Sequence, residues 1–248
     1  MAGHRFILTP GQLQASPVVL SGADWQHCRT LRLQPGEEVL LADGQGREYR
    51  ARMTGMGPRQ AEFRILGESG RNPESPLFIT LYQGLAKGGK LDWTIEKVTE
   101  LGLARFVPVV TRHSQVKPQS EGGHKRLRWQ ELARQAARQS GRTRVPEIAE
   151  PCTFAESLKE KQADALGILL YEAAGQASWR SQLGPQQHPK AVSLWVGPEG
   201  GFSPEEAAEA KAADIIVVGL GPRILRSETA GVVAVALAMG QWGDLLGV

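Results

Sequence analysis

The sequence predicts an α/β fold, a parallel sheet covered by helices on both faces, with a small β-barrel ahead of it. Three observations carry this. Apolar runs without polar alternation recur at 77–83, 105–110, 166–171, 192–196 and 215–219, the pattern of strands buried on both faces. Helical segments separate those runs, as in a parallel α/β sheet. Before residue 70, short strands are instead punctuated by Gly, Pro and Asp, which suits a small barrel.

In chain order, the barrel strands fall at 37–41, 47–53 and 61–66, with a turn at Asp43-Gly44-Gln45-Gly46. A polar stretch at 68–76 carries Pro73 and Pro76 and reads as a linker. It divides a barrel domain at 1–72 from an α/β domain at 73–248. In the first helix after it, Leu91, Ile95, Val98 and Leu101 fall on one face. A basic helix at 125–140 should turn Leu127, Leu132 and Ala136 inward. The last long helix begins near Glu228 and runs past Met239.

Composition narrows the function classes. With 41% hydrophobic and 22% charged residues the chain reads as globular. No apolar stretch reaches the length of a membrane span, and the opening MAGHRFILTP lacks a signal-peptide core. Cys28 and Cys152 stand far apart, so neither a disulfide framework nor a zinc site is expected, and a cytoplasmic location is. Charge is unevenly spread. Between Arg105 and Arg144 ten Lys or Arg face only Glu121 and Glu131, a balance of +8 in a chain whose net charge is +3. Such a segment is either a solvated helix face or the footprint of a polyanion partner.

Two loops after neighbouring strands are competent to hold a ligand, although GPEGG taken alone also suits a tight strand-to-helix turn that needs glycine for geometry only. GPEGG at 197–201 leads into Ser203-Pro204-Glu205-Glu206, a capping box with proline in the first turn. LGPRILRSETA at 220–230 mixes apolar and charged residues, so Leu220, Ile224 and Leu225 could form a slot for a flat base. Ligands of parallel sheets bind outside the carboxyl ends of the strands, where both loops lie. Residue pattern alone reaches a nucleotide-like site and stops there.

The pair GPEGGFSPEE and LGPRILRSETA resembles the small-subunit ribosomal RNA methyltransferase E family of the SPOUT superfamily. HCRTLRL at 27–33, KGGKLDWTIEKVTELGL at 87–103 and QSGRTRVP at 139–146 extend the resemblance over most of the chain. It departs at His113, where arginine is frequent, at Gly89 and at Arg138. The resemblance implies a C-terminal α/β knot, a trefoil-knotted parallel sheet that dimerises, and an N-terminal PUA-like barrel that grips RNA. It also implies S-adenosylmethionine as cofactor and methylation of N3 of one uridine in 16S rRNA, with the small ribosomal subunit as substrate and no metal. Methylation of another RNA atom, or a non-catalytic assembly role, are the competing readings.

Uridine N3 carries a proton, so transfer requires that the proton leave and the anion be stabilised. Arg226 is the expected stabiliser of that anion. Glu228 either accepts the proton or caps the last helix, and Glu199 either accepts it or orders its own loop. Cofactor contacts are expected from Leu170 and Tyr171, from Gly197, Pro198, Glu199 and Gly200, and from Leu220, Gly221, Ile224, Leu225 and Thr229. Arg29, Arg32, Arg112, Lys117, Arg126, Arg134, Arg142 and Arg144 are the expected contacts to RNA phosphates. His113 and His124 could each act as a base, but they lie in the basic segment, where contact with phosphate or solvent is the simpler expectation.

Overall fold

A computed structural model describes residues 4–114, 122–175, 177–184 and 188–247. The chain divides into two compact units, one of residues 1–74 and 137–145, the other of 75–136 and 146–248.

In the first unit, β1 (Arg5–Ile7), α1 (Pro10–Leu13), β2 (Val18–Ser21), α2 (Gly22–Thr30), β3 (Glu38–Ala42), β4 (Glu48–Met56) and β5 (Gln60–Glu68) follow in order. The strands make one sheet, ordered β1-β3-β4-β5-β2, antiparallel except for β1 on β3. Along β4 the period of two is plain: Ala51 and Met53 point inward while Arg50, Arg52 and Thr54 face out. Register shifts at Arg50/Ala51 and Met53/Gly55 bend β4, and irregularities of this kind curl a sheet. The result is a half-barrel around Phe6, Leu20, Leu41, Met53 and Phe63, with no ladder joining β1 to β2 among the described residues. Residues 137–145 complete this unit. Ala137 packs with Ile7 and Ala42, and Val145 N–H donates to Gly44 O at 3.0 Å.

The second unit contains β6 (Phe78–Gly84), α3 (Lys90–Glu100), β7 (Arg105–Val110), α4 (Gly122–Ser140), β8 (Glu147–Ile148), β9 (Cys152–Thr153), α5 (Phe154–Glu160), β10 (Leu166–Leu170), α6 (Trp179–Gln182), β11 (Ala191–Val196), α7 (Pro204–Ala212), β12 (Ile216–Val218) and α8 (Ser227–Trp242), α4 running on into residues of the first. Its strands are all parallel, in the order β12-β10-β11-β6-β7-β8, with β9 also on β7. All six residues of β11 are buried, as a central strand covered on both faces requires. One face holds Tyr82 stacked on Trp195, ring centroids 4.6 Å apart, under Phe154 and Phe202. Helix α8 follows edge strand β12 yet packs on α3 and on the central strands β6 and β11. The chain therefore returns across the sheet after β12, and this return brings the second loop beside the first.

Helix α4 keeps only part of its expected face: Ala136 is buried and Leu132 half-buried, but Leu127 is not. Leu127 is 62% exposed, and Trp129, Ala133, Ala136 and Ala137 are the buried residues. Small alanines allow close approach, so the helix packs through them and leaves the larger Leu127 outside.

Candidate active site

A cavity of about 560 Å³ lies at the carboxyl ends of the parallel strands. Leu170 and Tyr171 close one side of it, Gly197, Pro198, Glu199 and Gly200 another, and Leu220, Gly221, Ile224, Leu225 and Arg226 a third. Glu228 and Thr229 are not among the lining residues, and Ile224 is 87% exposed, so it covers the rim. Gly201 and Ser227, from the same two loops, also line the cavity, as do Lys90 and Glu172, which no local pattern marks.

Local chemistry fixes the first loop. The capping box forms as its residue types predict: Ser203 Oγ accepts from Glu206 N at 3.2 Å, and Ser203 N donates to Glu206 Oε2 at 2.8 Å. Beneath the loop, a Cβ on Gly84 would sit 2.4 Å from Pro198 N, so only glycine lets β6 end that close to it. Gly201 adopts φ +66°, with the Glu172 carboxylate against it. On the outer side, His113 Nδ1 donates to Gly200 O at 2.9 Å. Arg112 docks beside it, its N–H on Glu206 Oε1 at 2.8 Å and its guanidinium on Glu205 at 2.6 Å.

Two polar contacts tie the loops together. Gln83 Nε2, buried at the end of β6, donates to Ser227 Oγ at 2.8 Å, and Ser227 Oγ donates in turn to Gly197 O. Ser227→Ala would leave the Gln83 amide and the Gly197 carbonyl unsatisfied. Denaturant unfolding should show a loss of about 1–3 kcal/mol; an unchanged midpoint would mean the relay contributes nothing.

Lys90, at the start of α3, donates to Glu199 Oε1 at 2.8 Å and lies 4.0 Å from Glu228 Oε2. The hydrogen bond to Glu199 raises the Lys90 pKa. Burial works to raise that of Glu199, but the Lys90 hydrogen bond and charge outweigh it and hold the carboxyl below its usual range. Glu228 Oε2 is buried and has no hydrogen-bond partner among the described residues. Between Gly219 and Arg226, the backbone groups of Leu220, Gly221, Ile224 and Leu225 make no hydrogen bond to other described residues, which leaves them available to a ligand.

The basic residues are placed unequally. Arg29 is exposed and stacks over Trp25, and Arg32 is exposed with φ +56°. Arg126 pairs with Glu150 at 2.6 Å and Arg134 with Glu131 at 3.6 Å. Arg142 is 5% exposed and pairs with Glu74 at 2.7 Å, so its charge is spent inside the fold rather than offered to phosphate. Arg144 remains exposed. His124 is exposed too, and Lys117 lies outside the described residues. Among the described residues no acidic, His or Cys cluster could hold a metal, and no helix is long and apolar enough to cross a membrane.

Residues 73–239 match the family model described as an RNA methyltransferase domain, and 20–66 match an RNA methyltransferase PUA domain. The class is thus an RNA methyltransferase with a PUA-like domain ahead of its parallel sheet. The ribosomal RNA small subunit methyltransferase E of Bacillus subtilis is 30% identical over 92% of this chain and 92% of its own. That of Synechocystis is 32% identical over 94% of this chain and 76% of its own. A crystal structure of the Neisseria gonorrhoeae enzyme of that name, bound to S-adenosyl methionine, superposes with a TM-score of 0.85 at 33% identity, covering 97% of this chain and 98% of that one. A Legionella pneumophila methyltransferase in complex with the same cofactor gives 0.87 at 31%, covering 99% and 100%. The chain belongs to the ribosomal RNA small subunit methyltransferase E family, and its fold class is the SPOUT α/β knot with an N-terminal PUA-like half-barrel.

Proposed function

We propose that this protein methylates N3 of one uridine in 16S rRNA, using S-adenosylmethionine, as a cytoplasmic homodimer acting on the small ribosomal subunit. The observation that carries the reading is a cavity walled by both glycine-bearing loops, with Lys90 and Arg226 on its surface. Its residues fit the cofactor. Leu220 and Leu225 offer free backbone groups to a purine edge, while Glu172 offers a carboxylate to hydroxyl or ammonium groups. When bound, S-adenosylmethionine supplies an electrophilic methyl group.

The remaining work falls to the chain. Arg226 has no carboxylate partner among the described residues, so its guanidinium is free to stabilise uracil O2 or O4 as N3 loses its proton. Glu199 is committed to Lys90 and to Lys87 N–H, which makes it a weak base. Glu228, behind the cavity lining with one oxygen unpartnered among the described residues and 4.0 Å from Lys90, is the proton acceptor we assign within the second loop. Proton transfer of this kind is worth roughly 10²–10⁴ in rate. Arg29, Arg32, Arg112, Arg126, Arg134 and Arg144 would position RNA through phosphates. Leu237, Leu245 and Leu246, apolar yet exposed, support a second copy at the C-terminal end.

Nucleoside mass spectrometry of 16S rRNA from cells lacking the protein should show 3-methyluridine missing. Normal 3-methyluridine, with another methylated nucleoside lost, would move the reaction to that atom. Calorimetry showing no S-adenosylmethionine binding would favour a non-catalytic role instead.

A further inference from the structure

The QSGRTRVP stretch at 139–146 takes no part in the chemistry above, yet charge gathers around it. Gly141 adopts φ +79°, and a Cβ there would lie 2.9 Å from Arg5 Nη1 and 3.4 Å from Arg71 Nη2. Two guanidinium groups therefore converge on one point beside Gly141. Only Arg5 of the two is paired with a carboxylate among the described residues. Glu48, itself buried, accepts from Arg5 Nε at 2.7 Å, and its other oxygen accepts from Ser69 Oγ at 2.9 Å. Nearby Glu74 is taken up by Arg142, Thr143 and Arg144. Arg71 is exposed and has no carboxylate partner among the described residues. Converging like charges with too few carboxylates are satisfied by an anion, and guanidinium pairs match phosphate oxygens well.

We propose that Arg5 and Arg71, beside Gly141, form a binding site for a backbone phosphodiester of the RNA substrate. The inference rests on the ribosomal RNA reading given above. Arg5, with its side chain 10% exposed and anchored by Glu48, is set in place before the ligand arrives. Arg71 is the accessible hand. A side chain at position 141 would intrude where the two guanidinium groups meet, which gives the glycine a binding role besides its backbone one. Such a contact fixes the placement of RNA without selecting its sequence.

The test uses the full chain and small ribosomal subunits lacking the modification, with binding followed from about 50 to about 200 mM salt. Arg71→Gln should weaken binding roughly five- to tenfold near 0.1 M salt and lower the salt slope by about 1. Arg71→Lys should keep most of the slope. Arg59→Gln, in the β4–β5 turn, removes an exposed charge elsewhere on the unit and should do much less. S-adenosylmethionine affinity and the unfolding midpoint should be unchanged in Arg71→Gln. Wild-type affinity and slope in Arg71→Gln, or an equal loss in Arg59→Gln, would overturn the site while leaving the methyltransferase reading intact. A wild-type protein that neither binds nor methylates the subunit would overturn both.

Discussion

Glu74→Gln should destabilise the first unit by about 3–5 kcal/mol at neutral pH, because it removes the carboxylate that pairs with a buried arginine. Glu74 and Arg142 side chains are 9% and 6% exposed. The carboxylate accepts from Arg142 at 2.7 Å, Thr143 N at 2.8 Å and Arg144 N at 2.9 Å, so one acid organises three consecutive residues. Burial opposes its charge, but Arg142 and the backbone amides outweigh burial and hold the pKa low. A carboxyl depressed on folding stabilises above its unfolded pKa, about 4.3, and that stability is lost as pH falls through the folded value. Urea unfolding should therefore show the widest gap between wild type and variant near neutrality, closing in acid. A gap that stayed constant down to the lowest pH would mean that shape, not charge, is what the residue supplies.

Arg226→Ala should lower kcat by roughly 10²–10³, the usual cost of removing one donor to a developing oxyanion. Its guanidinium lines the cavity without a carboxylate to hold it, so the loop should keep its form without it. S-adenosylmethionine affinity, read by calorimetry, should therefore fall much less than turnover. Arg226→Lys should recover part of the rate, since charge returns without the planar fork. Equal losses in affinity and turnover would make Arg226 a builder of the loop and nothing more.

The central strands were legible because burial on both faces leaves an unbroken apolar run: 105–110 was read as a strand and is β7, Arg105–Val110. The capping box at Ser203 was legible because its chemistry is local. Helix α2 was not assigned, since Cys28 is its only buried residue and no apolar stripe marks it. Small α1 and α6 were missed for want of length. At the site, glycines marked the two loops, but Lys90 stands 109 residues from Glu199, and nothing local announces their contact. Arg142 looked like its basic neighbours until Glu74, 68 residues earlier, supplied its partner.

The return of residues 137–145 to the first unit has a consequence for the order of synthesis. At about 5–20 residues per second, the ribosome needs roughly 4–14 s to travel from Glu74 to Val145. Until then the nascent half-barrel holds Glu74 without Arg142, and Ile7 and Ala42 without Ala137. A gene cut after residue 74 would make that waiting state permanent. The first-made part of this protein is thus among the later parts to be finished.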